Sequence, residues 1–276
     1  MKPRSDEAAR SVQAPLHLFM VNFCDLTRSD YYCRDMKPWE LLGKTRAPDG
    51  TEMALTRRDT EYVILAGGRS LMSSRMHGSE EALATLTFQR VRTLERPCVL
   101  IGGLGMGFTL RAALDLLPPD ATVVVAELVP AVVEWNRGPL GPLAGHPLKD
   151  RRVAIELGDV AATLHASTNR FDAVLLDVDN GPDAFTSSHN ARLYDDRGLA
   201  ATRAALKAGG VLAVWSAWED RKFEQRLRYG GFRVVVERVR ARLKKGGPRH
   251  TIFLGHSPAS HDAPVTARRA PRSGTR

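Results

Sequence analysis

Hydrophobic and polar positions divide this chain into two regimes. From Pro97 onward, short apolar runs alternate with stretches of helical spacing. The runs are Cys98–Ile101, Thr122–Glu127, Val153–Leu157, Phe171–Asp177, Val211–Ser216, Phe232–Val239 and His250–Leu254. Helical spacing covers Thr109–Leu117, a segment opening at Ala131–Arg137, then Arg192–Ala208 and Arg221–Tyr229. Runs this apolar are buried on both faces, which predicts a parallel sheet with helices on each side. The last two runs are joined by a loop alone. They predict a hairpin that brings an antiparallel strand into the sheet.

Before Pro97 the pattern differs. Glu40–Arg46, Thr51–Arg58, Glu61–Ala66 and Arg69–Met72 are strand-like, separated by Pro48-Asp49-Gly50 and Gly67-Gly68 turns. They predict a small antiparallel β unit. A helix over Ala82–Val91 follows, with Ser79 as its expected N-cap. Four regions result: an N-terminal extension over 1–35 that is disordered or not native, the β unit over 36–78, a nucleoside-binding catalytic domain over 79–256, and a basic disordered tail over 257–276.

Composition narrows the class. The chain has 276 residues, 43% hydrophobic and 26% charged, a balance that supports a full core. No apolar run approaches the ~20 residues needed to span a bilayer. Cys24, Cys33 and Cys98 have no metal-ligand spacing and cannot all pair, so no metal is expected, the cytoplasm is the expected compartment, and Cys98 is expected to be a buried, inert thiol. Of the net charge of +9, three charges lie in the tail, where Arg268, Arg269, Arg272 and Arg276 face only Asp262. A second basic cluster spans Arg238 to Lys245. It reads as a nucleic-acid patch or, preferably, as a solvated hairpin, because no aromatic residue interleaves with it.

The chemistry centres on Val99-Leu100-Ile101-Gly102-Gly103-Leu104-Gly105-Met106-Gly107, a strand running into a glycine turn and a helix. Such a turn exposes bare backbone and the free N–H groups of a helix start. A dinucleotide fingerprint would need a third glycine where Phe108 stands, and there is no Gly-Lys-[Ser/Thr]. Gly103, Gly105 and Gly107 instead fit a nucleoside-sulfonium binder. Glu127, 20 residues past Gly107 at the next strand's tip, is placed to bind ribose hydroxyls. Asp159 suits the adenine amine or the cap of a following helix.

These stretches, with Ala126–Glu134, Gly158-Asp159, Phe171–Pro182, Arg192-Leu193-Tyr194 and Gly209–Ala213, resemble the polyamine aminopropyltransferases, the spermidine and spermine synthases. The resemblance covers roughly residues 40–255. It implies the Rossmann-like, seven-stranded, mostly parallel sheet of class I S-adenosylmethionine-dependent methyltransferases, with an antiparallel last strand and a small antiparallel β unit in front. It also implies transfer of an aminopropyl group from decarboxylated S-adenosylmethionine to a small amine, often by a homodimer. Asp177 takes the role of base and Asp179 helps hold the amine, although Asp179 also fits a turn cap. Glu80 or Glu81 is the flanking acid, with Glu81, His77 and Tyr194 assigned to the acceptor. His77 also fits a surface histidine, and His189 and Asn190 fit a lid. Leu104 and Met106 replace the more polar residues usual in that family's glycine loop. A methyltransferase using S-adenosylmethionine and a non-catalytic nucleoside-binding protein are the alternatives.

Met36 opens a clear domain start, so the native chain is expected to begin there. Intact mass of the protein from its host would show a species lacking residues 1–35; a mass that includes them refutes this start.

Overall fold

The computed structural model describes residues 37–91, 95–178, 191–242 and 247–258. The expectations for residues 1–35, for Asp179, for His189 and Asn190, and for most of the tail lie outside these.

Four short strands come first: β1 (Glu40–Arg46), β2 (Glu52–Arg58), β3 (Glu61–Ala66) and β4 (Arg69–Ser73). Each pairs antiparallel with the next, as the alternation and turn residues predict. Helix α1 (Gly78–Phe88) follows. Seven strands then form the main sheet: β5 (Cys98–Gly102), β6 (Thr122–Glu127), β7 (Val153–Leu157), β8 (Phe171–Leu176), β9 (Leu206–Ser216), β10 (Arg233–Arg240) and β11 (Arg249–His256). Their order is β10-β11-β9-β8-β5-β6-β7. The five adjacent strands β9, β8, β5, β6 and β7 run parallel, while β11 lies antiparallel between β9 and β10. The sheet therefore has the expected mostly parallel form, with its antiparallel end built by the last hairpin.

Side chains alternate between two cores because successive strand residues point to opposite faces. Val99 and Ile101 of β5 join one cluster, and Leu100 joins the other. The first cluster holds α1, α2 (Phe108–Leu116) and α3 (Pro130–Arg137), and it takes in Met53, Leu55 and Ile64 from the small sheet. The second holds α4 (Val160–His165), α6 (Asp196–Ala205) and α7 (Arg221–Tyr229), together with Tyr194 of the short α5 (Ala191–Tyr194). The small sheet is thus no separate domain. From Pro38 onward the described residues form one compact unit. At Gly43, a Cβ would come within 2.7 Å of the Trp135 indole nitrogen, so β1 packs directly on α3.

Several boundaries differ from the pattern. Ser79 lies inside α1, and His77 occupies the N-cap position without a capping hydrogen bond from its side chain. The single helix expected over Arg192–Ala208 is two, because Asp195 caps α6 by accepting from the Gly198 N–H. Strand β9 starts at Leu206, through the expected Gly209-Gly210 stop, and a register shift against β8 absorbs the extra length. Strand β7 is an edge strand, so Leu157 remains 61% exposed and the segment lacks the two-sided burial of its neighbours. Cys98 is half-buried instead of buried, with burial still raising its thiol above the ordinary range. Among the described residues, no helix is long and apolar enough to cross a membrane.

Leu55 of β2 is fully buried in the shared core. Leu55→Ala should lower stability by about 2–5 kcal/mol while leaving one cooperative unfolding transition. Far-ultraviolet circular dichroism and tryptophan fluorescence in urea would check this. Separate transitions would refute a single unit.

Candidate functional site

The site begins where β5 ends. Gly102 accepts from the Asp177 N–H, Gly103 donates to the Ala126 carbonyl, and Gly158 donates to the Glu127 carbonyl, all at 2.9 Å. These bonds hold the carboxyl ends of β5, β6, β7 and β8 level with one another. In an open α/β sheet this is the ligand-binding edge.

Gly103, Gly105 and Gly107 all have positive φ, at 85°, 51° and 82°. L side chains rarely adopt that backbone. Space excludes them too. A Cβ on Gly103 would lie 2.5 Å from the Asp177 carbonyl oxygen, and one on Gly105 would lie 2.9 Å from the Met72 methyl. The small sheet thereby reaches the turn through Met72. The turn closes with Gly107 donating to the Leu104 carbonyl at 2.8 Å, and α2 starts at the next residue. Asn136 of α3 pins it from behind, its side-chain NH₂ donating to the Gly105 carbonyl at 2.8 Å.

Glu127 is 7% exposed. One carboxylate oxygen accepts from the Leu104 N–H and the other from the Val129 N–H, each at 2.8 Å. Burial pushes its carboxyl upward, while these amides favour the charged form. A carboxylate oxygen has a second lone pair, so each remains able to accept from a ligand hydroxyl. Asp159 caps α4: Oδ1 accepts from the Ala161 N–H at 2.8 Å, and the residue is exposed. Of the two sequence readings for Asp159, the cap is the one with a contact.

The second half of the site is acidic. Asp177 follows β8 and is partly exposed, whereas Glu80 of α1 is 5% exposed. The Thr109 hydroxyl donates to Asp177 Oδ2 at 2.6 Å. Ser79 Oγ lies 2.6 Å from Glu80 Oε2 and 2.9 Å from His250 Nδ1. Burial and then the Asp177 charge push the Glu80 carboxyl up to about 8. Burial pushes Asp177 up to about 6, with the Thr109 hydroxyl opposing it. Burial lowers His250, which favours its neutral ring.

Glu80, and not Glu81, is therefore the acid beside Asp177. Helix register explains the choice. Glu80 shares a face with the buried Leu83, Ala84 and Thr87, at spacings of three, four and seven. Glu81 instead takes the outer face and meets His77, with Oε1 2.7 Å from Nδ1. The His77 ring stacks on Phe108 at 4.2 Å, joining the starts of α1 and α2. The pair assigned to the acceptor thus engages itself at the rim. Tyr194 does not line the site: it is 1% exposed and packs edge-on against Phe223 in the second core. Sequence reasoning also missed Thr109, His250, Asn136 and Met72. The polar Thr109 just after the last glycine was the one local signal available.

No family model and no curated protein matches the chain. Solved structures do. A spermidine synthase in complex with the transition-state analogue AdoDATO is 19% identical, with a TM-score of 0.60, covering 78% of this chain and 72% of that one. Spermidine synthase from Thermotoga maritima gives 19%, 0.61, 78% and 72%. A probable spermidine synthase from Corynebacterium glutamicum ATCC 13032 gives 15%, 0.56, 78% and 79%. At these identities the likeness shows a shared fold.

Raised carboxyls make the folded state the better proton binder. Their contribution to stability is then greatest at low pH and is lost as pH rises through the window from about 4 to about 8, the upper limit set by Glu80. Urea unfolding at pH 5, 7 and 8.5 should show this decline, and Glu80→Gln should flatten it. An unchanged slope in that variant would exclude a raised Glu80.

Proposed function

We propose that this protein is a spermidine synthase-like transferase, moving an aminopropyl group from decarboxylated S-adenosylmethionine to an amine. The observation that carries this reading is the acid pair. Asp177 is partly exposed, with Glu80 buried behind it, one residue past a strand that touches the glycine turn through Gly103. An acid held above its ordinary range beside a nucleoside cradle suits a base for an ammonium substrate.

The sulfonium donor supplies a carbon activated toward attack by its positively charged sulfur. This chain's residues do the rest. Glu127 accepts from the ribose hydroxyls while its amide contacts keep it fixed. The bare turn from Gly103 to Gly107 lies under the donor. Asp177 takes the proton from the acceptor nitrogen, which then bonds to the methylene carbon as the carbon–sulfur bond breaks. Asp179, two residues on, is the proposed second contact for the amine. Asp159 stands nearest the adenine end, with Oδ1 committed to its cap. Fold likeness to spermidine synthases supports the same reading.

A methyltransferase on this scaffold would use the same turn with the carboxylated donor. Titration calorimetry with S-adenosylmethionine, its decarboxylated form and methylthioadenosine separates the readings. Preference for the decarboxylated donor, with turnover of an amine, supports aminopropyl transfer. Preference for the carboxylated donor supports methyl transfer. Tight binding without turnover supports a non-catalytic nucleoside-binding protein.

Asp177→Asn should abolish transfer and leave nucleoside affinity within a few-fold; full turnover in that variant would remove Asp177 as the base. Glu127→Ala should weaken nucleoside binding by ~1.5–3 kcal/mol, the scale of a charge-assisted hydrogen bond. Calorimetry on the purified variants measures both affinities.

A further inference from the structure

Ser79 makes an unusual pair of contacts. Its hydroxyl has one proton but bridges two groups, Glu80 Oε2 and His250 Nδ1, and it is fully buried. With the ring neutral, as burial of His250 favours, two proton arrangements fill both bonds. In one, Glu80 is a carboxylate, Ser79 donates to it, and His250 donates from Nδ1. In the other, Glu80 carries a proton and donates to Ser79, and Ser79 donates to His250, whose proton is on Nε2. The ring is neutral in both.

We propose that Ser79 and His250 form a proton relay that charges and discharges Glu80 behind the base. A proton arriving at His250 Nε2 drives the Nδ1 proton onto Ser79 Oγ and the Ser79 proton onto Glu80 Oε2. One proton enters at the ring and one is gained at the acid. Reversal releases it. His250 is the outlet because it is half-buried at the start of β11, whereas Ser79 and Glu80 are enclosed.

The surroundings favour this traffic. Glu80 is faced by Asp177 from the end of β8, by Thr109 from α2, and by Ser79 and Glu81 from its own helix. Of its ionisable neighbours, both are acids, so Glu80 gains from holding a proton. His250 is faced by the Trp215 ring of β9, with centroids 4.6 Å apart, and by Ser79. Burial opposes a charged ring and so favours passing the proton on over storing it. Arg90, just past the end of α1, is committed to Glu237 of β10 at 2.9 Å. The catalytic use of the relay rests on the proposed transfer, in which Asp177 must lose a proton in each cycle; the relay itself does not.

Nitrogen-15 spectra of histidine-labelled protein would test it, with His250 assigned from its loss in His250→Gln. Between pH 5 and pH 9 the proton should move from Nε2 at low pH to Nδ1 at high pH. Ser79→Ala should abolish this exchange, and Glu80→Gln should leave one tautomer throughout. A fixed tautomer in the wild type, or an unchanged exchange in Ser79→Ala, overturns the relay. In turnover, Ser79→Ala should lower kcat by about 10- to 100-fold, within the range of general acid–base effects, with KM unchanged and partial rescue by added imidazole. Tautomer exchange without any transfer would sustain the relay and refute the proposed function. Asp177-dependent transfer without exchange would do the reverse.

Discussion

Everything at the ligand edge depends on how closely two strand ends approach. The Gly103 backbone passes so near the Asp177 carbonyl that no side chain fits between them. That single contact sets the height at which β8 delivers Asp177 relative to the turn. A bulkier residue would push the acid and the cradle apart and break the hydrogen bond between Gly102 and Asp177. The adjoining strand adds a second tie, because Glu127 grips the turn through Leu104 and its own loop through Val129. One acid thus performs a structural task at the carboxyl edge of the sheet. Its fixed orientation is a form of preorganisation.

The main sheet was legible because its signal is strong and local. Central strands buried on both faces must be continuously apolar, and Val99–Ile101, Val123–Val125 and Val174–Leu176 are. The hairpin at the end was legible because nothing but a loop separates its strands. Edge positions were harder to read. Leu157 has the composition of an inner strand residue but no neighbour on one side. Helix ends were obscured by competition among polar residues. Ser79 has the chemistry of a cap, yet partners distant in sequence claim its hydroxyl.

The placing of candidate residues at one sheet edge was legible where a motif fixes the backbone, at the glycines, Glu127 and Asp177. It was illegible where side chains from distant segments meet. Choosing Glu80 over Glu81 required the phase of α1, and that phase depends on where the helix starts. His250 had no local mark at all, since its partner lies 171 residues away. Tyr194 shows the opposite error. An aromatic residue beside a candidate loop looked available, but its ring fills the space between α5 and Phe223.

That separation has a consequence for the order in which the molecule is made. The small sheet, α1 and the glycine turn all leave the ribosome before the β10–β11 hairpin exists. Until β11 docks between β9 and β10, the Ser79 hydroxyl lacks His250 and the backbone edge of β9 is unpaired. Closing contacts of such long range comes late and slowly. The Ser79–His250 contact is therefore completed by the last of the described strands to be synthesised, and a chain truncated before β11 would carry the glycine turn, Glu127 and the acid pair without it.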